Sequence, residues 1–404
     1  MKQTKEKIFF ITSSYPYGNG EGFLEPEIEF LSNHFEVHLL PCFPRGKIRQ
    51  NHQNEKIYLH SENLISFKIA LITLLFAFLS PLKFVKIIKK SIVKDFKKSI
   101  KNLATIPKAI FIKNYANKNP EFKFLYAHWL SAPMQLALHA NMITGIPFGA
   151  TGHRWDLIEN NNFNEKFSKA SFVRLISKKS LTLLPSEVCR KYSSIISVIY
   201  MGVDNSFLKL NFLPAPEKNI ICVANLIELK GHKYLFQALK ILKDKGYSYR
   251  LYIYGDGPLA KELQGLAKIL DIESLVFFES SVPHVELLSR LRSGKYGVMC
   301  LPSLDLGNGQ HEGVPVSLME AMSCGIPCIS TNTGSISELI QNGKTGILVE
   351  PGNSEEIAFA ILNLLEDNIF WNDIRHQAHR NLLENFSANL NNKKILELIQ
   401  RNIK

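Results

Sequence analysis

Residues 297–335 alternate between apolar runs and glycine-containing turns, which limits the folds that this chain can adopt. Gly297–Ser303 has the composition of a buried strand, and a glycine-rich loop, Leu306–Gln310, follows it. A helix is predicted next; the turn Cys324–Pro327 then leads into a second strand, and Thr333–Ser335 opens another helix. Strands that alternate with helices predict a parallel α/β sheet, in which ligands bind at the carboxyl ends of the strands.

Two glutamates, Glu312 and Glu320, flank the start of the predicted helix. Pro315 is favoured as its first residue, because proline has a fixed φ and no N–H. Carboxylates accept hydrogen bonds from sugar hydroxyls, and a helix N-terminus, here near Gly313 and Val314, attracts phosphate. A phosphate between two polyols describes a nucleotide sugar. Spacing alone leaves open that Glu320 is a solvated helix residue and Glu312 a charge favoured by the helix dipole.

The whole pattern around Glu312 and Glu320 resembles the donor-binding signature of the family-4 retaining glycosyltransferases. That resemblance implies an α/β fold of the GT-B type, with two Rossmann-like doubly wound domains facing a central cleft. Residues 1–205 would form the acceptor-side domain and residues 206–375 the nucleotide-sugar domain. Residues 376–404 would be C-terminal helices that pack back toward the first domain.

The start of the predicted second domain extends the resemblance. Asn219–Ala224 followed by Asn225–Gly231 is similar to the family's first strand with its Gly-Arg-Leu and Lys-Gly continuation. The resemblance implies that Lys230 neutralises the donor diphosphate, whereas Asn225 stands where the family has an arginine. Either another basic residue compensates, with Arg154 as the candidate, or the leaving group is stabilised less well.

Two further loops in this half are similar to donor-binding loops of the family. Arg250–Pro258 is a predicted strand that ends in Gly-x-Gly-Pro, where Gly255 allows the backbone to approach a ligand closely. Val282 and Pro283 follow the next predicted strand, and the resemblance implies that they line the base pocket. Each has a plainer alternative, namely a simple turn at Gly255 and loop packing at Val282 and Pro283.

The amino-terminal half shows the same order of strand, glycine loop and helix. Ile8–Thr12 runs into a loop containing Gly18 and Gly20, but its spacing is not the Gly-x-Gly-x-x-Gly fingerprint, so no NAD site is predicted. His128 and His153 each end an apolar run. The resemblance implies that the two glycines face the cleft and that His128 or His153 reaches the donor sugar. The alternatives are a surface loop and structural histidines.

The resemblance also implies a retaining reaction, and no carboxylate nucleophile stands out in the sequence. Front-face transfer, in which the donor phosphate assists deprotonation of the acceptor, is therefore the working hypothesis. The candidate catalytic residues are His128, His153 and Glu312, and Glu320 is expected to bind ribose. No metal or other cofactor is expected, because lysine and helix termini supply positive charge and no Asp-x-Asp motif occurs.

The expected partners are a UDP- or GDP-sugar donor and a saccharide or lipid-linked acceptor, in cell-envelope or exopolysaccharide synthesis. A non-catalytic nucleotide-sugar-binding or scaffolding protein on the same fold is the alternative, because fold does not determine function and the arginine position holds Asn225.

The formal charge of the chain is +12 at pH 7, and many of its lysines lie within residues 64–103. The apolar stretch Ile69–Leu79 is shorter than the ~20 residues that a membrane-spanning helix needs. From Lys83 to Lys101, lysines alternate with bulky aliphatic residues at roughly helical spacing, which predicts a basic amphipathic helix on an anionic membrane. The alternative is a core helix with solvated lysines. No nucleic-acid partner is expected, since no recognition motif or aromatic interleaving is visible.

The six cysteines are scattered along the chain, without a Cys-x-x-Cys pair or a zinc-type spacing, which indicates reduced core residues. The first residues, Met1–Ile8, lack the apolar core of a signal peptide. Together these features predict a cytoplasmic protein, with any membrane contact peripheral and on the inner face.

Overall fold

The computed structural model describes residues 5–18, 21–48, 55–61, 67–204, 217–307 and 309–403. The chain divides into two compact units. Unit 1 comprises Met1–Ile199 together with Asn392–Lys404, and unit 2 comprises Tyr200–Asn391. Much of the linker expected at 213–217 lies outside the described residues.

Unit 1 is built on a parallel sheet of seven strands. Its strands are β1 Lys7–Thr12, β2 Glu36–Pro41, β3 Ile57–Leu59, β4 Phe122–His128, β5 Phe148–Gly152, β6 Phe172–Leu175 and β7 Ile196–Val198. Their spatial order is β3-β2-β1-β4-β5-β6-β7. The inner strands are apolar runs buried on both faces, as is usual where helices cover both sides of a parallel sheet. The strand order reverses beside β1, and such sheets bind ligands at that position.

Ten helices of unit 1 precede residue 200 in the described part of the chain. They are α1 Glu25–Ser32, α2 Phe67–Leu79, α3 Pro81–Ser91, α4 Phe96–Leu103, α5 Ile106–Lys118, α6 Ala132–Thr144, α7 Arg154–Glu159, α8 Phe163–Phe167, α9 Ser180–Leu183 and α10 Ser186–Lys191. Short 3-10 turns occupy Gly22–Leu24 and Ser193–Ile195.

The lysine-rich segment is not one amphipathic helix as predicted, but two, α3 and α4. The break follows from Asp95, whose carboxylate caps α4 by accepting a hydrogen bond from the Lys98 N–H at 3.0 Å. Within the described residues, no single helix is long and apolar enough to cross a membrane. Ile69–Leu79 and Pro81–Ser91 meet these criteria only as a pair, and that pair is bent by 113°.

Unit 2 contains a second parallel sheet. Its six strands are β8 Ile220–Val223, β9 Leu251–Tyr254, β10 Val276–Phe278, β11 Val298–Leu301, β12 Cys328–Thr331 and β13 Ile347–Val349. They lie in the order β10-β9-β8-β11-β12-β13. This is the doubly wound order of a Rossmann fold, with the reversal beside β8.

The remaining helices are α11 His232–Asp244, α12 Ala260–Ile269, α13 His284–Leu291, α14 Val316–Ser323, α15 Ile336–Leu339, α16 Ser354–Glu366, α17 Asn368–Asn385 and α18 Ala388–Asn402. Short 3-10 turns lie at Glu228–Lys230 and Glu273–Leu275. Pro315 is the N-cap of α14, so the helix begins one residue later than predicted. The reason is local: Pro315 has an extended ψ of 122°, and its carbonyl accepts the first helical hydrogen bond, from Met319 at 3.4 Å.

The last helix, α18, begins in unit 2 and ends in unit 1. Ile395, Leu396 and Ile399 are buried there in a cluster with Ile8 and Phe10 of β1. The predicted α/β class, with two Rossmann-like doubly wound units, is confirmed. The expected central cleft stays a prediction.

Candidate functional site

Three loops at the carboxyl ends of β8, β9 and β11 pack closely together in unit 2. Gly231 has a φ of +66°, and a Cβ there would collide with the carbonyl oxygen of Pro302. Gly255 has a φ of +150°, and a Cβ there would collide with the carbonyl oxygen of Ala224. Only glycine allows both approaches. The loops therefore form one continuous surface at the topological reversal of the sheet.

On this surface, Lys230 and Glu312 form an ion pair between Nζ and Oε1. The Ser303 hydroxyl donates to the same carboxylate oxygen at 3.1 Å. The Glu312 backbone is fixed as well, since its carbonyl accepts from the Ser335 N–H at 3.2 Å and from His311 Nδ1 at 2.9 Å. An ammonium group carries three donors, so Lys230 can hold Glu312 and still bind an anion.

Beside the ion pair, the backbone N–H groups of Gly313 and Val314 point to a place for an anion. Among the described residues, none accepts a hydrogen bond from either group. Both N–H groups precede α14, where the helix dipole adds partial positive charge. Lys230 and these two donors together form an arrangement suited to phosphate.

Glu320 lies inside α14 and pairs with a residue that the sequence analysis did not single out. Its Oε1 is 2.7 Å from Nε2 of His284, the first residue of α13. Only 11% of the Glu320 side chain is exposed, against 54% for His284. The bond joins Glu320 to the loop that carries Val282, which is half-buried, and Pro283, which is exposed.

Hydrogen bonds also connect that loop to the loop after β9. The Ser281 N–H donates to Asp256 Oδ2 at 2.8 Å, and the Gly255 N–H donates to the Ser280 carbonyl at 3.1 Å. Val282, Pro283, Gly313 and Lys230 are therefore carried by loops at one end of the sheet, and Glu320 of α14 is bonded to the residue that follows Pro283.

Asn225 is exposed, and its carbonyl accepts from the Ile227 N–H at 2.9 Å. The neighbouring loop carries His232, which is 2% exposed and whose ring nitrogens have no hydrogen-bond partner among the described residues. Burial, reinforced by Lys230, lowers the pKa of His232 to about 4, so the ring is neutral at pH 7. The basic side chain that this loop offers to a ligand is that of Lys230.

In unit 1, His128 and His153 lie at the carboxyl ends of β4 and β5 and contact each other. Their Nε2 atoms are 2.7 Å apart, so one ring donates to the other. His128 is completely enclosed and His153 is 8% exposed. Burial, reinforced by His128, holds the pKa of His153 well below its usual value, so His153 is neutral at pH 7.

A buried ion pair lies behind these histidines. Arg174 on β6 contacts Glu27 on α1, with 2.6 Å between NH1 and Oε2. Glu27 Oε1 lies 3.6 Å from His128 Nδ1, a separation that makes the contact electrostatic rather than a hydrogen bond. Burial opposes ionisation of Glu27, but Arg174 first and His128 second outweigh it and lower its pKa to about 2. The carboxylate is therefore charged at pH 7 and orients His128.

Glu21 organises the loop after β1. Its carboxylate accepts hydrogen bonds from the N–H groups of Ser14 and Tyr15, both at 2.6 Å, and from the indole N–H of Trp129. Trp129 has a φ of +104°, a strained value for a residue other than glycine, and its ring centroid is 4.3 Å from that of His153.

Gly18 is in the same loop, with a φ of +68° and its N–H bonded to the Lys47 carbonyl at 3.0 Å; Gly20 lies outside the described residues. Arg154 opens α7, and its guanidinium stacks 4.3 Å from the Trp155 ring centroid. Its proposed compensation for Asn225 stays a prediction.

Several residues that support the site were not predicted from the sequence: Glu21, Glu27, Arg174, His284 and Ser303. A signal was available for one of them, because Arg174 interrupts an otherwise apolar strand. A buried charge in such a run requires a partner. In the described part of the chain, no group of three or more His, Cys, Asp or Glu residues could hold a metal ion.

Residues 207–382 match the family model described as glycosyl transferases group 1. This segment is similar to the group 1 glycosyltransferases. It contains every donor-binding residue predicted in unit 2. The match confirms the resemblance to group 1 glycosyltransferases noted from the sequence, without its finer assignment to the retaining enzymes of family 4.

Curated relatives match this chain over part of their length. The putative colanic acid biosynthesis glycosyltransferase WcaL of Salmonella typhimurium is 31% identical over 208 residues, which are 51% of each chain. The amylovoran biosynthesis glycosyltransferase AmsK of Erwinia amylovora is 29% identical over 208 residues, also 51% of each chain. The chain thus spans about half the length of these curated relatives.

Solved structures match over nearly the whole chain. Alr3699/HepE from Anabaena, in complex with UDP, has a TM-score of 0.70 at 18% identity and covers 98% of this chain and 100% of its own. Sucrose-phosphate synthase from Thermosynechococcus elongatus has a TM-score of 0.70 at 15% identity, covering 98% of each chain. At these identities the likeness concerns the fold alone, and it confirms the predicted two-domain GT-B architecture.

Proposed function

We propose that this protein transfers a sugar from a nucleotide-diphosphate donor to a saccharide acceptor during the synthesis of a cell-envelope or exported polysaccharide. The observation that carries the proposal is the pair of anchored carboxylates, Glu320 and Glu312, at the two ends of the segment that starts α14. Glu320 is bonded to His284, which follows Val282 and Pro283, and Lys230 pairs with Glu312, which directly precedes Gly313 and Val314. We assign Val282 and Pro283 to the base, Glu320 to the ribose, Lys230 with the two N–H groups to the diphosphate, and Glu312 to the sugar.

The chemistry of each group fits its place. Glu320, with one carboxylate oxygen on His284, has a second oxygen for the ribose hydroxyls. Lys230 and the two N–H groups counter the diphosphate charge, which grows as the sugar–phosphate bond breaks. Glu312, fixed by Ser303, accepts from hydroxyls of the transferred sugar. The part of the donor that develops charge therefore meets the positive groups.

For the reaction itself we propose front-face transfer with retention at the anomeric carbon. The acceptor oxygen forms the new bond to that carbon, the bond to the donor phosphate oxygen breaks, and the acceptor proton passes to the departing phosphate. Lysine and backbone donors supply the positive charge in this scheme, so it requires no metal.

In unit 1, we assign a contact with the transferred sugar to His153 and a positioning role to His128. His128 is completely enclosed, whereas His153 retains some exposure. Glu27 and Arg174 act through His128, because they orient it without reaching the surface themselves. Gly18 and Arg154 stay proposed donor contacts of this unit.

The names of relatives support the biological setting. WcaL and AmsK carry names that place them in colanic acid and amylovoran biosynthesis. The donor nucleotide stays open between uridine and guanosine diphosphate. A structural neighbour binds UDP, while a relative from Mycolicibacterium smegmatis, 30% identical over 149 residues, is named as GDP-mannose-dependent.

A second candidate is a non-catalytic nucleotide-sugar-binding protein. One observation favours it: the exposed side chain at the position of the family's diphosphate arginine is the uncharged Asn225. Such a protein would bind the donor through the same residues and leave it intact.

The test is calorimetric titration of UDP, GDP and their sugar conjugates into the wild type and Glu320→Gln. We expect one nucleotide class to bind and the variant to bind it about tenfold more weakly, the loss expected for one charged hydrogen bond. Glu262→Gln, which changes an exposed glutamate of α12, is the matched control and should bind as the wild type does. Equal affinities for wild type and Glu320→Gln would remove Glu320 from the donor site.

A further inference from the structure

Helix α4 buries polar side chains and exposes apolar ones, which is the reverse of what is usual for a helix on a water-facing surface. It buries Ser99 and Asn102, which are 6% and 1% exposed. It exposes Phe96 and Ile100, which are 77% and 51% exposed and lie one turn apart on the same face. In water, this arrangement forgoes the burial that normally stabilises an amphipathic helix.

The same feature extends over α2, α3 and the turn between α3 and α4. In the part of the chain that the structure describes, 24 large hydrophobic side chains are exposed, and 11 of them lie between residues 67 and 100. We call these 11 residues the apolar face: Phe67, Leu71, Leu74, Leu75, Phe78, Leu79, Leu82, Val85, Ile92, Phe96 and Ile100. So many exposed apolar side chains within one segment are unusual for a soluble surface and indicate an interaction site.

Polar contacts hold α3 and α4 in this orientation. The Ser91 hydroxyl lies 2.9 Å from His139 Nε2 in α6. The side chains of Asn102 and Asn161 exchange two hydrogen bonds, of 2.8 and 3.2 Å. Lys98 Nζ donates to the Glu159 carbonyl at 2.5 Å. Because these polar contacts fix the end of α3 and the inner side of α4, the fold itself directs Phe96 and Ile100 outward.

Lysines surround the apolar face. Lys83, Lys86, Lys89 and Lys94 are exposed, and none forms an ion pair with any residue that the structure describes. Asp95 is the only acidic residue in the sequence from 67 to 105. The surface therefore combines aliphatic and phenyl groups with excess positive charge.

We infer that the apolar face docks unit 1 on a bilayer that contains anionic phospholipid. The apolar side chains would enter the boundary between headgroups and acyl chains, and the four lysines would lie at the level of the phosphates. A second copy of the chain is a poorer occupant, because the same lysines would repel each other across a shared interface. A nucleic acid would gain nothing from the aliphatic side chains.

Docking of this kind does not depend on the donor site, because it involves residues of unit 1 alone. One consequence rests on the proposed function: a transferase held at the bilayer is suited to an acceptor saccharide carried on a lipid.

The experiment is flotation of the full-length protein with vesicles of phosphatidylcholine alone or mixed with phosphatidylglycerol. We expect binding to the mixed vesicles, weak binding to the neutral ones, and release from the mixed vesicles at high salt. Replacing the four lysines by Gln should weaken binding on the order of 1000-fold, since each contributes roughly fivefold near an anionic surface. Phe96→Ser with Ile100→Ser should also weaken it severalfold or more.

Matched changes in unit 2 provide the controls. Ile269→Ser removes another exposed apolar side chain, and Lys261→Gln with Lys268→Gln removes exposed lysines of α12. These variants should bind vesicles as the wild type does, and circular dichroism should show all variants folded. The inference is overturned if the wild type stays unbound, if lysine replacement leaves binding unchanged, or if sedimentation shows a dimer that Phe96→Ser with Ile100→Ser dissociates. Nucleotide titration of the same variants keeps a failure of docking distinct from a failure of the proposed function.

Discussion

The ion pair of Lys230 with Glu312 allows the structural and ligand-binding roles of one contact to be separated. The two side chains are 18% and 11% exposed, which places the pair between a surface salt bridge and a fully buried one. Surface pairs contribute up to ~1 kcal/mol, and breaking a buried pair costs ~3–5 kcal/mol. Ser303 still donates to Glu312 when the lysine is gone. We therefore expect Lys230→Met to lower the free energy of unfolding by about 2 kcal/mol.

Combining Lys230→Met with Glu312→Gln should recover most of that loss, because no unpaired carboxylate then remains. Binding of nucleoside diphosphate should not recover. Loss of a charged donor costs about 1.5–3 kcal/mol, or roughly 10- to 100-fold in affinity, in both the single and the double variant. Glu312→Gln alone frees Lys230 from its competing partner, so it should bind free nucleoside diphosphate at least as tightly as the wild type.

Urea unfolding measures the first quantity and calorimetric titration the second. Lys240→Met, which breaks the more exposed pair with Asp244, is the control and should leave nucleotide affinity unchanged. The reasoning is refuted if the double variant binds nucleoside diphosphate as the wild type does, because Lys230 would then serve only to neutralise Glu312.

Three further predictions concern other parts of the chain. Arg174→Met should cost about 3–5 kcal/mol of unfolding free energy at pH 7. The substitution leaves Glu27 without its cation. In the wild type the pKa of Glu27 is about 2, so its charge stabilises the fold fully above pH 4.5 and progressively less as the pH falls toward 2. Urea unfolding at pH 4 should show a smaller loss, since the unpaired carboxyl takes up a proton; an equal loss at both pH values would contradict this. Asn225→Arg should tighten nucleoside diphosphate binding about tenfold in the same titration, and unchanged affinity would show that this position lies off the diphosphate. Thiol titration at pH 8 should detect at most Cys189 and Cys324 in the folded protein, and all six thiols after denaturation. The other four thiols are buried, and burial raises their pKa, to about 12 for Cys42 and Cys222.

The fold was predictable from the sequence because its strands are buried apolar runs. The predicted strand Ile8–Thr12 corresponds to β1, Lys7–Thr12, and the strand within Gly297–Ser303 corresponds to β11, Val298–Leu301. The start of α14 was misplaced by one residue, since a proline at the first helical position and a proline at the N-cap have the same sequence signature.

The partners within the site were less predictable, because they depend on tertiary packing. The family resemblance implied that Lys230 and Glu312 serve one ligand, but their direct contact spans 82 positions of sequence. The pair of Glu27 and Arg174 spans 147 positions. Each joins two separate elements that no local pattern relates.

In the lysine-rich segment, too, the sequence predicted only part of the structure. The alternation of lysine and aliphatic residues predicted an amphipathic surface, and amphipathic helices are present as α3 and α4. Periodicity cannot tell which face is directed inward. That Ser91 and Asn102 are among the buried positions depends on polar partners in α6 and after α7, which are distant in sequence.

The most direct test of the central claim is the release of nucleoside diphosphate from the nucleotide sugar that the protein binds, with a lipid-linked saccharide extract as acceptor. The account predicts turnover by the wild type and none by Glu312→Gln, although that variant still binds the nucleoside diphosphate. Turnover retained in Glu312→Gln, or tight donor binding without any turnover by the wild type, would contradict it, and the second result would favour a non-catalytic nucleotide-sugar-binding protein.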